Sequence, residues 1–273
     1  MKCLVTGGLG FLGSYLAEEL IKKNHRVTIL DKASPKIKLN KKIKFIKADL
    51  LNKNKTELAI KNQDIIFHYG GLSGIDESMV NPLKTAEYNL IGTIRLLELC
   101  LKYKIKRFIF ASTVYVNSEQ GSFYKSSKRA AEDFIEEYKK KYNLEFTILR
   151  FGTVYGPRAS KENNINKIIN VALKKKNIIY KGNKKNKKEK KNKKNEEKKK
   201  KKNINKIINL KLKKKNIIYK GNKKNIREYI NVKDAAKIAL KTMEKKYANK
   251  YVKITGNKKT SVIKALEIIK KEL

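Results

Sequence analysis

A glycine-rich turn between two apolar segments is the feature that most constrains how this 273-residue chain can fold. Residues 7–13 read Gly-Gly-Leu-Gly-Phe-Leu-Gly, between the apolar run 3–6 and an amphipathic run. Strand, glycine turn and helix in this order predict the phosphate-binding turn of a dinucleotide-binding fold. We expect Gly7 to permit the tight turn, Gly10 to let backbone N–H groups approach a pyrophosphate, and Gly13 to let the helix pack on the strand.

An acidic residue ends the second apolar strand. Residues 27–30 are followed by Asp31, eighteen positions past Gly13. An acidic side chain at this point can accept hydrogen bonds from both ribose hydroxyls, and it repels a 2′-phosphate. The sequence therefore predicts NAD rather than NADP as cofactor. An ordinary turn followed by an N-capping Asp is the structural alternative.

Apolar segments alternate with segments of helical period over the first 150 residues. The strands are predicted near residues 2–6, 27–31, 43–47, 64–68, 107–112 and 146–150. This alternation predicts an α/β fold with a Rossmann-type, doubly wound parallel sheet and helices on both faces. The longest predicted helices cover 83–103 and 123–142. Further along, residues 226–232 predict a strand, and Asp234 is expected to cap a helix.

A duplicated segment interrupts the second half of the chain. Residues 165–186 recur at 204–225 with two substitutions. Between the copies, residues 187–203 contain Lys, Asn and Glu but no apolar residue. We expect this Lys-rich linker to be disordered, because it cannot bury enough apolar surface to offset its chain entropy. Two copies are too few for a solenoid, so we interpret the duplication as an insertion in a small C-terminal substrate lobe.

These patterns predict a division of the chain into three parts. Residues 1–158 form an NAD-binding Rossmann domain, which residues 226–256 complete. Residues 159–225 form the substrate-lobe segment with its duplication. Residues 257–273 form a C-terminal helix.

The charge of the chain raises the question of a nucleic-acid partner. The formal net charge is +43, and clustered basic residues bind phosphates. Only seven of the 68 basic residues are Arg, however, and no platform of aromatic and basic residues accompanies them. We therefore interpret most of the charge as solvated surface and do not predict a nucleic-acid partner.

Cysteine content and hydropathy indicate the compartment. The two cysteines, Cys3 and Cys100, both lie in apolar runs, so we expect reduced core residues and a cytoplasmic protein. No window reaches the roughly 18 uncharged apolar residues of a membrane span, and no apolar signal region precedes the first strand. Membrane association and secretion are not predicted.

Tyr124 and Lys128 form the candidate catalytic pair. They stand four residues apart at the start of a predicted helix and therefore on one face. The same spacing recurs at three other places in this Lys-rich chain, so spacing alone does not identify a site. The placement of Tyr124 does, because a strand ending at Thr113 places hydroxyls at the carboxyl edge of the sheet, where open α/β sheets bind ligands.

Elementary electrostatics explains why this pair suits proton transfer. A phenol has a pKa of about 10, but a cation about 4 Å away contributes roughly 4 kcal/mol at an effective dielectric constant of about 20, or about three pKa units. Lys128 is thus predicted to make Tyr124 a usable general base. Thr113 would hold the substrate hydroxyl in line as hydride leaves its carbon. An exposed helix start with a solvated Lys is the alternative.

Several short segments together resemble the extended short-chain dehydrogenase/reductase family, the group of NAD-dependent sugar-nucleotide epimerases and dehydratases. The matching segments are 6–13, 49–50, 68–71, 89–93, 112–113, 124–128, 150–158 and 227–230. The resemblance implies a nucleotide-sugar substrate and a homodimer formed through the helices near 83–103 and 123–142.

The resemblance also implies roles for further residues. Contacts to the pyrophosphate, the adenine and the ribose of the cofactor would come from Phe11, Leu12, Asp49, Leu50, Tyr69, Gly70, Gly71 and Asn89, beside Tyr124 and Lys128 themselves. Contacts to the substrate diphosphate would come from Thr153 and Arg227. No metal site is expected, because the chain has two histidines and no cluster of Cys or acidic residues around them.

One departure from the family pattern narrows the predicted reaction. The dehydratase branch places an Asp-Glu pair after its catalytic Thr, whereas this chain has Val114 and Tyr115 there. We therefore expect a UDP-hexose 4-epimerase, in which hydride passes transiently to bound NAD and a 4-keto intermediate turns over in the pocket. Two alternatives stay open: an NAD(P)H-dependent keto-sugar-nucleotide reductase, and a non-catalytic NAD- or polyanion-binding protein.

Overall fold

The computed structural model of the chain describes residues 1–35, 39–160, 163, 165–166, 178–181, 208–212, 215–220 and 226–272. The chain divides into two compact units. The first unit comprises Met1–Arg158 and Ile230–Thr255, and the second comprises Ala159–Tyr229 and Gly256–Leu273. The predicted Lys-rich linker 187–203 lies outside the described residues.

A seven-stranded parallel sheet forms the centre of the first unit. Its strands are β1 (Lys2–Thr6), β2 (Arg26–Asp31), β3 (Ile43–Lys47), β4 (Ile65–His68), β5 (Arg107–Thr113), β6 (Phe146–Phe151) and β12 (Lys250–Ile254). Their order in the sheet is β12-β6-β5-β4-β1-β2-β3, and every neighbouring pair is parallel. The strand order reverses between β1 and β4, which is where such sheets bind ligands. The predicted Rossmann-type fold is confirmed.

Helices cover both faces of this sheet. They are α1 (Phe11–Lys22), α2 (Lys53–Ile60), α3 (Ile75–Val80), α4 (Pro82–Ala86), α5 (Gly92–Lys102), α6 (Ser122–Tyr142) and α7 (Val232–Lys241). The five central strands are largely apolar because both of their faces are buried, whereas the edge strands β3 and β12 contain lysines and are more exposed. Successive residues alternate between two cores: Val5 and Phe67 face one, and Leu4 and Ile66 face the other. Cys3 and Cys100 are free and fully buried, as predicted.

Two sequence predictions for helices need correction. The predicted helix 83–103 is not uniform, because the π-helical turn Glu87–Ile91 separates α4 from α5. Helix α7 is capped by Asn231 and not by Asp234. The side chain of Asn231 accepts a hydrogen bond from the backbone N–H of Lys233 at 2.9 Å, whereas Asp234 lies inside the first turn.

The two copies of the duplication pair with each other in the second unit. Strands β8 (Ile178–Lys181), β9 (Ile208–Leu212) and β10 (Lys215–Lys220) form a sheet in the order β8-β10-β9. Strands β8 and β10 are parallel, and Ile178 lies opposite Ile217, its own duplicate. Strand β11 (Ile226–Asn231) pairs antiparallel with β13 (Lys259–Ser261), and α8 (Val262–Glu272) follows.

Within the described part of the chain, none of the helices combines the length and the apolar character that a membrane span requires.

Candidate active site

The glycine turn between β1 and α1 is packed too tightly for side chains. Gly7 has a φ of +66°, and a Cβ atom there would lie 2.8 Å from the backbone of Tyr69 and Gly70. A Cβ atom on Gly13 would lie 2.3 Å from the carbonyl oxygen of Gly7. Backbone therefore packs on backbone at this point, and the start of α1 is held directly above the end of β1.

The start of α1 is suited to binding an anion. Gly10 is exposed, and its N–H donates to the carbonyl oxygen of Gly7 at 3.0 Å. Phe11 and Leu12 occupy the first two positions of the helix, where backbone N–H groups have no carbonyl partner one turn back. These groups and the helix dipole offer positive charge to a pyrophosphate. The turn therefore fits a dinucleotide.

Asp31 ties the end of β2 to this turn. Its Oδ2 atom accepts the backbone N–H of Leu9 at 3.0 Å, and its Oδ1 atom accepts that of Ala33 at 2.9 Å. A carboxylate offers about four lone-pair positions, so both oxygens can accept a second hydrogen bond. Asp31 can thus hold the glycine turn and still bind ribose hydroxyls.

Asp49 is held in a polar cluster beyond β3. Its carboxylate accepts the hydroxyl of Tyr88 at 2.5 Å and the backbone N–H of Leu51 at 2.9 Å. Burial opposes ionisation of Asp49, but these hydrogen bonds and the nearby Lys32 outweigh it and lower the pKa of the carboxyl. Its neighbour Leu50 is partly buried against Gly92. Asp49 is therefore an ionised acceptor beside an apolar side chain, a combination that can bind the edge of an adenine.

The three predicted catalytic side chains converge at the carboxyl end of β5. Thr113 ends the strand, and its hydroxyl favours the ionised form of Tyr124, which lies in the first turn of α6. One turn later, the Nζ atom of Lys128 donates to the carbonyl oxygen of Ala111 at 2.9 Å and lies 4.4 Å from the ring centre of Phe110. The hydroxyls and the ammonium group thus meet at one edge of the sheet.

Burial dominates the electrostatics of this pair. It raises the pKa of Tyr124 to about 12, although the hydrogen bond from Thr113 acts in the opposite direction. Burial likewise lowers the pKa of Lys128 to about 8, against the effect of the Glu132 carboxylate. The lowering of the Tyr124 pKa that we expected from Lys128 does not occur in the chain alone. The reason is physical: burial disfavours the charged phenolate, and the ammonium group of Lys128 donates to the carbonyl oxygen of Ala111.

Asn89 clamps the loop after β4. Its Oδ1 atom accepts the backbone N–H of Leu72 at 2.8 Å, and its Nδ2 atom donates to the carbonyl oxygen of Leu72 at 2.9 Å and to Ser127 Oγ at 3.0 Å. Gly71, with a φ of +149°, packs so closely on Asn89 that a Cβ atom would lie 2.5 Å from Oδ1. Asn89 therefore ties the loop that contains Gly70 and Gly71 to Ser127 on α6.

The hydroxyl of Tyr69 is buried and makes no hydrogen bond with any residue that the structure describes. Its ring packs edge-on against Phe151 at a centroid distance of 5.8 Å. An orphaned hydroxyl beside the glycine turn is consistent with a site that a polar ligand completes.

Three residues of this region have contacts in the site that the sequence did not predict. The Oγ atom of Ser78 accepts the backbone N–H of Tyr124 at 3.1 Å and so positions the start of α6. The carboxylate of Glu132 is buried and binds Ser112 and Arg150 behind Lys128. Tyr88 donates to Asp49, as described above. Only Glu132 left a signal, since it is an acidic residue on the apolar face of a predicted helix.

The two predicted substrate contacts belong to different units. Thr153 begins the short strand β7 (Thr153–Tyr155) and is partly exposed. Arg227 belongs to the second unit, on β11 opposite Thr260. Their roles at the substrate diphosphate stay predictions. Among the residues that the structure describes, no group of three or more His, Cys, Asp or Glu side chains could hold a metal ion.

Proteins of similar sequence are named as nucleotide-sugar enzymes. A putative UDP-glucose 4-epimerase of Methanocaldococcus jannaschii is 34% identical over 172 residues, which are 57% of this chain and 56% of that protein. An uncharacterised UDP-glucose epimerase of Bacillus subtilis is 35% identical, over 64% of each chain. A dTDP-D-glucose 4,6-dehydratase of Dictyostelium discoideum is 32% identical, over 64% of this chain and 49% of that one. The chain thus spans about half to two thirds of the length of these curated relatives.

Solved structures share the fold. The UDP-glucose 4-epimerase of Thermotoga maritima superposes with a TM-score of 0.78 at 24% identity, covering 99% of this chain and 82% of that one. The model of the NAD dependent epimerase/dehydratase family matches residues 3–189, which include the glycine turn, Asp31 and the Thr113, Tyr124 and Lys128 site. The cofactor of this family, NAD, is the group that the glycine turn, Asp31 and Asp49 fit. The chain belongs to the NAD dependent epimerase/dehydratase family.

Proposed function

We propose that the protein is an isomerase that inverts carbon 4 of the hexose in a UDP-sugar, with NAD as a tightly held cofactor. One observation carries the proposal: Thr113 acts on the phenol of Tyr124 at the same sheet edge where the Lys128 ammonium group donates to the carbonyl oxygen of Ala111. The names of two sequence relatives and of several similar structures, which are UDP-sugar epimerases, support this reaction class, although dehydratases also occur among the sequence relatives.

The residues that would hold NAD line the carboxyl edge of the sheet. The turn at 7–13 and the first N–H groups of α1 would bind the pyrophosphate, Asp31 would bind the adenosine ribose, and Asp49 with Leu50 would contact the adenine. The loop 69–71 would line the other ribose. When bound, NAD supplies a reversible hydride acceptor and a positive charge near Tyr124.

The side chains of the chain itself would handle the proton. Thr113 Oγ1 would orient the 4-hydroxyl of the sugar toward the Tyr124 oxygen, which accepts its proton as the ketone forms. Lys128 would stabilise the phenolate, since a cation favours the charged form of a neighbouring acid. After the keto sugar has turned over in the pocket, Tyr124 would return the proton to the opposite epimer.

The segment after Thr113 supports epimerisation over dehydration. Residues Val114–Asn117 form a 3-10 turn in which the N–H of Tyr115 donates to Thr113 Oγ1 at 3.2 Å. Elimination of water needs a general acid and a general base beyond the oxidation step. Val114 and Tyr115 provide no carboxyl group at the position where the dehydratase branch places two.

The homodimer and the compartment are further parts of the proposal. Exposed apolar side chains on α3, α4 and α6, among them Val80, Leu83, Phe123 and Phe134, offer a surface for a second copy of the chain. Light scattering should report twice the mass of the monomer, and Phe134→Lys should shift the mass toward that of the monomer. The two buried, free cysteines support a cytoplasmic location.

The direct test uses purified protein without added cofactor. We expect UDP-glucose and UDP-galactose to interconvert, and mass spectrometry of the denatured protein to detect released NAD. Absorbance of reduced cofactor separates the alternatives. Stoichiometric consumption of NADH or NADPH by a keto-sugar nucleotide would indicate a reductase, and failure to convert any nucleotide sugar would favour the non-catalytic reading.

A further inference from the structure

His68 is a buried titratable residue that the proposed chemistry does not use. It ends β4, is completely buried, and packs beside the rings of Phe108 and Phe110, with both centroids 5.7 Å away. Both of its ring nitrogens have a partner. Nδ1 lies 2.7 Å from Thr6 Oγ1, and Nε2 lies 3.0 Å from Thr93 Oγ1.

The partners of Thr93 and Thr6 fix where each proton lies. Thr93 Oγ1 donates its single hydrogen to the carbonyl oxygen of Asn89 at 2.7 Å, so it can only accept from His68, and Nε2 must carry the ring hydrogen. In a neutral ring Nδ1 then accepts, so Thr6 donates to it. Thr6 Oγ1 in turn accepts the backbone N–H of Gly70 at 3.1 Å. The chain of hydrogen bonds runs in one direction from Gly70 to Asn89.

The residues at the two ends of this chain of hydrogen bonds, Thr6 and Asn89, hold the same loop. Gly70 is bound through Thr6, and Leu72 is bound at its N–H and its carbonyl by the Asn89 side chain. Gly71 lies between them, and a Cβ atom there would be 3.9 Å from Lys128 Nζ. Residues 70–72, which we call the clamp loop, therefore pass beside the catalytic ammonium group with both ends fixed.

We propose that His68 is a positioning residue which, as the neutral Nε2–H tautomer, joins the two anchors of the clamp loop and holds its backbone at the cofactor ribose and beside Lys128. The inference rests on the proposed function for the role of Lys128 and for the place of the loop at the cofactor ribose.

The neutral state of His68 follows from its surroundings. Complete burial and the charge of Lys128, the charged group that acts on this ring, keep the pKa of His68 well below its ordinary value. A second proton would place two cations side by side in the core. It would also turn Nδ1 into a donor, and Thr6 would lose the acceptor of its own hydrogen.

Threonine variants distinguish the role of this chain of hydrogen bonds from a general effect on the stability of the protein. Thr93→Val and Thr6→Val each remove one link while keeping the shape of the side chain, and Thr93→Ser restores the hydroxyl. Thr147→Val is the matched control, because Thr147 is also fully buried and donates to one carbonyl, that of Tyr247 at 2.8 Å. By calorimetry, we expect NAD to bind about tenfold more weakly to the two Val variants, since each leaves a buried polar group unpaired. Thr93→Ser and Thr147→Val should bind NAD like the unmodified protein.

The NMR spectrum of ¹⁵N-labelled histidine reports the tautomer of His68, which would not respond to these variants if His68 had a purely structural role. We expect His68 to keep the Nε2–H tautomer between about pH 5 and 8, and to shift toward Nδ1–H in Thr93→Val but not in Thr6→Val. An Nδ1–H tautomer in the unmodified protein, titration of His68 in this range, or undiminished NAD affinity in both Val variants would overturn the proposal. If these results are as expected and no nucleotide sugar is converted, the proposed function fails and the role of His68 stands.

Discussion

Lys128 donates a 2.9 Å hydrogen bond to the backbone oxygen of Ala111, so the ammonium group is tied to strand β5 and not to the phenol of Tyr124. The carbonyl and the face of Phe110 replace part of the hydration that the cation loses on burial. Lys128 is nevertheless only 5% exposed, and it remains a charge in the core at neutral pH. This arrangement costs stability in order to place a cation at the site.

Lys128→Met should stabilise the protein and impair its function. The pKa of Lys128 falls from 10.5 in the unfolded chain to about 8 in the folded one. Between these values the unfolded chain binds more protons, so the stability of the unmodified protein rises with pH. At pH 7 the variant should be more stable by about 3 kcal/mol, and the difference should shrink toward pH 10.5. Urea unfolding across this range measures it, and a difference independent of pH would contradict the prediction.

Glu132→Gln should destabilise the fold strongly. Glu132 is 1% exposed, and Arg150 donates to it from Nε at 3.1 Å and from Nη2 at 2.5 Å. Removing one partner of a buried ion pair costs about 3–5 kcal/mol. It also removes the anion that favours the charged form of Lys128.

Asp133→Asn is the control for this change, because Asp133 pairs with Arg129 on the exposed side of the same helix. An exposed pair contributes about 0–1 kcal/mol. Chemical denaturation of both variants measures the two effects. Equal losses in the free energy of unfolding would show that burial does not increase the contribution of Glu132 to stability.

Tyr69→Phe should have opposite effects on stability and on NAD binding. The hydroxyl is buried without a partner among the described residues, and such a group costs about 1–3 kcal/mol. Its removal should raise the melting temperature of the cofactor-free protein. NAD affinity should fall by about tenfold, because the bound cofactor loses a hydrogen bond in a desolvated site. Tyr142→Phe, at an exposed position on α6, should change neither quantity. Unchanged NAD affinity in Tyr69→Phe would refute the contact.

Local sequence signals were sufficient for the sheet and the glycine turn. Strands β1, β2, β4, β5 and β6 are largely apolar runs bounded by polar turns, and the close approaches at Gly7 and Gly13 require glycine, so both features can be recognised within a few residues. Tyr124 and Lys128 could be located because a helix places residues four apart on one face.

Other features depend on contacts distant in sequence. The π-turn at Glu87–Ile91 interrupts a segment with a regular helical pattern, and it contains Asn89, whose partners Leu72 and Ser127 are 17 and 38 residues away. The rise in the Tyr124 pKa depends on burial by several elements at once. Composition likewise does not predict that β8 and β10, one from each repeat copy, pair in register.

The fate of the hydrogen on carbon 4 of the sugar tests the account most directly. Purified protein is given UDP-glucose deuterated at carbon 4, without added cofactor, beside Tyr124→Phe and the control Tyr142→Phe. We expect UDP-galactose that retains the deuterium, formed equally by the control and roughly 100-fold or more slowly by Tyr124→Phe. Hydrogen from solvent at carbon 4, or full turnover by Tyr124→Phe, would contradict the proposed epimerase.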